Sequence, residues 1–289
     1  MVPNNGQEPG RRYVDVRGLF TAKNPRLAAR LPEWVYALIA RVAHERQVNE
    51  ALHNLEGLEG WRFAEAALEY LSIAVEVRGK ERLPAGGRFT FCCNHPLGGA
   101  DGLAMMRLAG KAYGPYLHIS NDLLLSIPQL ADSIVPVNKH GSNTTIVSGL
   151  EAMYSSGKTV LMFPAGRTAR FKGRILVDYP WAKSFVKKSR EHGRTIVPVH
   201  ISGRNSALFY FIWRARTLLG IKPNLEMFLL VDELFKQRGT TIMLTIGQPL
   251  APTVFDRSRT DAEWAEALRL HVQTLGTDPN ALFTVEEAR

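Results

Sequence analysis

The sequence predicts an α/β fold: a mixed, largely parallel sheet flanked by helices, with an N-terminal helical appendage. Three observations predict it. From Ile73 onward, short apolar and β-branched runs alternate with longer stretches of helical periodicity, the pattern of a sheet covered on both faces. Turn residues punctuate the runs, with Gly157 closing one helix and Pro164 and Gly166 ending one strand. Ahead of Ile73 the apolar residues recur at helical spacing. The chain thus divides into residues 1–72, a tail and helical appendage; 73–250, the α/β unit; and 251–289, a C-terminal helix and tail.

Met1 to Arg12 is polar, carries Pro and Gly, and reads as a disordered tail without the apolar core of a secretory signal. Lys23 to Leu31 is basic and fits a short helix or turn. Pro32-Glu33 opens a helix on which Trp34, Leu38, Ile39 and Val42 share a face, and a second helix runs from Trp61 to Ser72 with Phe63, Ala67, Leu68 and Leu71 aligned. Both stripes read first as core-facing; the functional alternative is an appendage that rests on a bilayer. Strands are expected at Ile73–Val77, Arg88–Cys93, Tyr116–Ser120, Ile134–Val137, Thr159–Phe163, Thr195–Ile201, Glu226–Val231 and Thr241–Ile246. Helices are expected near Gly102–Ala112, Asn143–Ser155, Trp181–His192, Ala207–Leu219 and Thr260–Leu275.

The chain has 289 residues and a formal net charge of +9. Such basicity points to a polyanionic partner, nucleic acid or an anionic membrane surface. No aromatic–basic RNA-reading motif is present, so no nucleic acid is expected. No apolar run is long enough to span a bilayer, which leaves a cytoplasmic protein peripheral on the inner face of the membrane. The adjacent Cys92 and Cys93 point to opposite faces of a strand and are read as reduced core residues; a Cys93 nucleophile is the lesser reading. No nucleophile elbow, Walker loop or spaced Cys/His set occurs, so neither a metal nor a cofactor is expected.

The stretch that carries chemistry is Asn94-His95-Pro96-Leu97-Gly98-Gly99-Ala100-Asp101, where a strand turns into a helix. Pro96 pushes His95 towards an extended conformation, and Gly98 and Gly99 allow a tight turn. Asp101, at the helix start, can face back to His95, and an imidazole held by a carboxylate is a general base. A polar turn with a capping Asp and a surface His is the plain alternative. Backbone N–H groups of the turn, at Gly98 and Gly99, are candidates for an oxyanion site. A second strand end releases Arg167, Arg170, Lys172 and Arg174, a cluster able to hold a phosphate or carboxylate, or a solvated loop. Asn138 and Lys139 follow the apolar run at Val135-Pro136-Val137, and Ser202, Arg204 and Asn205 follow the strand that contains Pro198, expected at an edge or bulge.

Val75-Glu76-Val77-Arg78-Gly79, Glu81-Arg82-Leu83-Pro84 and the Asn94-His95 corner resemble the opening of the PlsC-type glycerolipid acyltransferases. Asn94-His95-Pro96-Leu97-Gly98-Gly99, Phe163-Pro164-Ala165-Gly166 and Pro198-Val199-His200-Ile201-Ser202-Gly203-Arg204-Asn205 resemble the bacterial branch labelled hemolysin or glycerol acyltransferase, which includes enzymes of amino-acid-containing lipids. The likeness runs from about Tyr13 to about Gln248. Two departures stand out. Five residues, Pro96 to Ala100, separate His95 from Asp101 where the family has four, and Ala165 replaces the family's Glu, which weakens the expectation of a glycerol-phosphate acceptor. The resemblance implies acyl transfer from acyl-ACP or acyl-CoA to the hydroxyl of a lysolipid, lysophosphatidate-like or amino-acid-based. It gives His95 the base role, Asp101 its support, and substrate contacts to Asn138, Lys139, Arg167 or Arg170, and Arg204. The alternative class is a non-catalytic, basic membrane-surface binding protein.

Overall fold

Among the described residues seven strands form one sheet, in the spatial order 74–78, 241–246, 195–201, 89–93, 159–162, 116–120 and 134–136. The computed structural model describes residues 12–23, 25–137, 143–221 and 224–284. The strands are β1 Ala74–Arg78, β2 Phe89–Cys93, β3 Tyr116–Ser120, β4 Ile134–Pro136, β5 Thr159–Met162, β8 Thr195–Ile201 and β9 Thr241–Ile246; a separate hairpin joins β6 Arg170–Lys172 to β7 Ile175–Val177. β8, β2, β5, β3 and β4 are mutually parallel, whereas β9 runs against β8 and carries β1 parallel to itself. The sheet is therefore mixed and largely parallel, as expected.

The helices are α1 Val16–Lys23, α2 Pro25–Ala28, α3 Glu33–Val42, α4 Glu45–Asn54, α5 Gly60–Tyr70, α6 Gly99–Tyr113, α7 Asn143–Ser155, α8 Ser184–His192, α9 Ala207–Leu218, α10 Leu230–Lys236 and α11 Asp261–Thr274. Alternation along the strands sends Phe91, Cys93, Leu161, Val197 and Leu244 to one face, where they meet Phe63 and Leu68 of α5 and Ala104 and Met105 of α6. Cys92, Met162 and Ile196 face the other side, against Phe185 of α8 and Trp264 and Leu268 of α11. The two cysteines are free, buried and on opposite faces; burial pushes both thiols well above their ordinary pKa, which removes Cys93 as a nucleophile. α5 lies so close to α6 that a Cβ on Gly110 would sit 2.1 Å from the Cβ of Trp61, so only glycine fits there.

Two local differences from the sequence expectation have clear causes. Glu226–Val231 is not a strand but a 3-10 turn, Leu225–Leu229, leading into α10. A short apolar run does not distinguish strand from helix, and here the buried Glu226 is fixed by two arginines. Pro198, expected at an edge or bulge, lies in a central strand at a bulge: Val199 faces Ile246 while Ile196 bridges Leu250, so the opposite segment carries one extra residue and the missing amide faces it. On α3 it is Tyr36 that is buried, whereas Trp34 and Leu38 are 68% and 53% exposed, so that stripe does not face the core.

Among the described residues, His118 and His271 are almost fully buried and His200 is largely so. Burial lowers their pKa values to about 3, about 4 and about 4, the charge of His95 adding to the effect on His118. The unfolded chain thus binds these protons near pH 6.5 while the folded chain refuses them. Stability is full above that value and falls as pH drops towards 4.5, by about 1.4 kcal/mol per pH unit per histidine. Urea denaturation at pH 7.0, 6.0 and 5.0 checks the slope, and His271→Leu flattens it.

Candidate active site

Because β2, β5 and β8 are adjacent and parallel, the loops after them open on one edge of the sheet. The loop after β2 carries Asn94 and His95, that after β5 runs from Phe163 to Ala169, and that after β8 from Ser202 to Asn205. Asn94 ties two of them together. Its side chain donates to the Ile201 carbonyl at 2.9 Å and accepts from the Ile201 N–H at 2.6 Å, extending the β2–β8 ladder by one rung.

His95 is held on every side. Its Nδ1 is 3.0 Å from Oδ2 of Asp101, and its ring stacks on Phe163 with centroids 4.4 Å apart. Its N–H donates to Oδ1 of Asp178 at 3.1 Å, and its carbonyl accepts from the Ala169 N–H at 2.7 Å. The imidazole is 18% exposed, and with Nδ1 engaged, Nε2 is the nitrogen left for a substrate proton. Asp101 is fully buried at the third residue of α6, so the helix starts at Gly99, ahead of the expected Gly102. Its Oδ2 also accepts from the N–H groups of Leu97 at 2.8 Å and Gly98 at 3.0 Å, which fixes the carboxylate before it meets the histidine.

The same bonds correct the role expected of Gly98. Gly98 makes the turn, with φ +87° and α10's Leu230 3.0 Å from where a Cβ would stand, but its N–H is spent on Asp101 and not on an oxyanion. Gly99, exposed at the first helical position, remains as the turn's oxyanion candidate.

The expected substrate-contacting cations separate. Arg167 is exposed in the loop after β5 and lies over the Tyr179 ring at 5.5 Å, next to Asp178. Arg170 is buried and spent on protein: it donates to the Thr168 and Ala169 carbonyls and pairs with Glu226 at 2.9 Å. Glu226 also binds Arg216 at 2.7 Å; burial pushes its carboxyl up, but the two guanidinium groups prevail and hold it below the ordinary range. Arg170 therefore anchors the β6–β7 hairpin, with its guanidinium held by protein groups. Arg204 is exposed on the loop after β8. Asn138 and Lys139 lie outside the described residues.

Sequence reasoning missed Asp178. It lies 83 positions from His95, and its Oδ2 accepts from the Trp181 indole at 2.9 Å. Burial raises its pKa above the ordinary carboxylate value, against the hydrogen bonds from Trp181 and His95. His118 was missed as well: it packs against Phe163 from β3, 5.5 Å between centroids. The only signal for either was a polar residue at or just beyond a short apolar run. The arrangement as a whole is an imidazole with one nitrogen pinned by a buried carboxylate, set at a strand–helix corner. Such a group can take a proton from a hydroxyl and return it to a leaving group.

The family model described as "Acyltransferase" matches residues 18–278. The lyso-glycine lipid O-acyltransferase of Bacteroides thetaiotaomicron is 38% identical over 258 residues, 89% of this chain and 95% of the relative. The protein of the same description from Phocaeicola vulgatus is also 38% identical over 258 residues, 89% and 92% of the two chains. Among solved structures, the 1-acyl-sn-glycerophosphate (LPA) acyltransferase PlsC from Thermotoga maritima aligns with TM-score 0.47 and 16% identity, covering 84% of this chain and 89% of that one.

Proposed function

The chain belongs to the acyltransferase family and is an acyltransferase, and from that premise we propose that it moves a fatty acyl group from an acyl thioester to the hydroxyl of a lysolipid. The relatives' description and Ala165 in place of the family's Glu favour an amino-acid lipid over glycerol phosphate as acceptor. The observation that carries the mechanism is the 3.0 Å contact between His95 and buried Asp101. Nε2 of His95 takes the hydroxyl proton as the oxygen attacks the thioester carbonyl; the C–S bond breaks, and the proton passes to the departing thiolate. Asp101 keeps the ring in the tautomer that leaves Nε2 free and supports the imidazolium that forms. No acyl-enzyme is required, because the thioester is already activated. Acyl-ACP or acyl-CoA serves as donor, and the positive surface suits either the acidic carrier or the CoA phosphates.

Among the described residues no helix is long and apolar enough to cross a membrane. On this proposal the acceptor is met at a membrane surface, peripherally and from the cytoplasmic side. Exposed apolar side chains on α3, on α9 and on the 3-10 turn against which both helices pack support this reading: Phe211, Leu218 and Phe228 are 67%, 89% and 47% exposed, Trp34 and Leu38 of α3 are exposed too, and exposed Arg41 and Arg214 stand on the two helices. Replacing both Phe211 and Leu218 by Asp lowers partitioning onto anionic vesicles roughly tenfold or more, each apolar side chain contributing about 1 kcal/mol on partial insertion. Vesicle flotation checks it; turnover of a soluble short-chain acceptor stays the same.

The reaction is tested with purified protein, a labelled acyl-ACP or acyl-CoA, and an N-acyl amino-acid lysolipid. The expected result is a doubly acylated product. Absence of transfer from both donors to this acceptor and to lysophosphatidate would remove the proposal.

A further inference from the structure

A depression of about 530 Å³ lies next to the catalytic turn, lined by Arg204, Asn205, Ser206, Tyr210, Glu233 and Lys236 among others. It shares its walls with the active site. Gly203 is pressed on Leu97, so that a Cβ there would approach the leucine side chain at 3.0 Å. Leu230 and Leu234 of α10 cover Gly98 and Gly99, while Glu233 and Lys236 of the same helix line the depression. The Tyr210 hydroxyl accepts from the Asn205 N–H at 3.2 Å.

The polar groups here are not all satisfied. Asn205 is 3% exposed, yet neither its amide nitrogen nor its amide oxygen has a partner among the described residues. A buried carboxamide left without partners is costly, and in a native structure it calls for a reason. Charge is also unevenly committed. Lys236 is held by Asp232 at 2.5 Å and Glu233 at 3.0 Å, and Glu233 is itself tied to the Ser206 N–H and hydroxyl. Arg204 is exposed and has no ion-pair partner among the described residues. The lining thus offers one cation with no ion-pair partner among the described residues, Arg204, one unpartnered amide, Asn205, and the Lys236–Glu233 pair, whose charges offset each other.

On the reading that the acceptor is a lysolipid, we propose that this depression is the acceptor's headgroup subsite, and that it selects a monoanionic carboxylate joined to a secondary amide. The Arg204 guanidinium pairs with the carboxylate, bidentate where geometry allows. The Asn205 carboxamide, with one donor and one acceptor edge, matches the C=O and N–H of the amide. A phosphomonoester, close to doubly charged at neutral pH, brings one negative charge more than Arg204 balances, beside the Glu233 carboxylate that already holds Lys236, and is disfavoured.

The test has two arms. In the first, KM is measured for an N-acylglycine lysolipid and its methyl ester, with wild type and Arg204→Gln. The substitution is at an exposed position and leaves the fold intact. The expected result is a rise in KM of roughly 10–100-fold for the acid, with little change for the ester, kcat or the donor KM. An equal effect on both acceptors, no effect on either, or a rise in the donor KM overturns the subsite. In the second arm, binding of the soluble N-hexanoylglycine is followed by calorimetry, without turnover. Asn205→Leu removes amide atoms that have no partner among the described residues, so its thermal midpoint holds or rises while affinity for the probe drops roughly tenfold. A lower midpoint with unchanged affinity marks Asn205 as structural and refutes the assignment. If wild type acylates lysolipids but both variants match it, the subsite alone falls; if wild type acylates none, the reading beneath it falls as well.

Discussion

His95→Ala lowers kcat by about 10²- to 10⁴-fold, the range typical of a lost general base, with little change in the KM of either substrate. The reason is geometric. Nδ1 is occupied by Asp101, and the ring is packed on Phe163, so the imidazole contributes its second nitrogen and little else. The fold does not depend on it, because the turn is held by the Asp101 bonds to Leu97 and Gly98 and by the Asn94 rung to Ile201, none of which uses the imidazole. An unchanged thermal midpoint together with partial recovery of turnover on adding free imidazole separates lost chemistry from lost structure. A kcat within a few-fold of wild type would take His95 out of the mechanism, leaving the family assignment standing and the catalytic base elsewhere.

The largest expected effect on stability belongs to a residue at the opposite end of the sheet. Arg194 immediately precedes β8 and is fully buried, with no carboxylate partner among the described residues. Its guanidinium instead binds the backbone carbonyls of Tyr154 at 2.7 Å, Phe89 at 2.9 Å, Lys158 at 3.1 Å, Met153 at 3.3 Å and Ser156 at 2.6 Å. Three of these close the C-terminus of α7, whose dipole favours a cation, and the others sit at the starts of β2 and β5. Burial lowers the arginine's pKa, and the five acceptors keep the charge in place. Arg194→Met keeps much of the volume and strands the carbonyls. At about 1–3 kcal/mol per stranded buried group, less than additive, it destabilises by about 4 kcal/mol or more. Urea denaturation and the soluble fraction on expression report this, and the molecules that remain folded keep their kcat, since β2 and β5 separate the site from Arg194. A loss under about 1 kcal/mol would mean that water replaces the guanidinium and that the carbonyls are less enclosed than they look.

Much of the site was readable along the chain, for an identifiable reason. His95, Pro96, Gly98 and Asp101 belong to one turn, and turn chemistry is decided by neighbours. The Asp101 contact could be anticipated because six residues of a strand–helix corner cannot carry the two groups far apart. Arg170 shows the limit. Within the sequence it is one of four cations in a loop, indistinguishable from Arg167; in the fold it is buried against Glu226, and Arg167 stays outside over Tyr179. The misplaced strand at Glu226–Val231 has the same origin, because the partners that bury Glu226 come from the β6–β7 hairpin and α9.

The sequence by itself determined the class of fold, the acyltransferase likeness and the corner where histidine meets carboxylate, since alternation, turn residues and short motifs are written among neighbours. Only the tertiary structure decided that Asp178 braces the His95 backbone, that Gly98 gives its N–H to Asp101, that Arg170 is an anchor, and that Arg204 and Asn205 border a cavity with their polar groups uncommitted. The physical reason is the parallel sheet. Its register joins β2, β5 and β8 at one edge, and the contacts made there link residues dozens of positions apart that no local pattern connects.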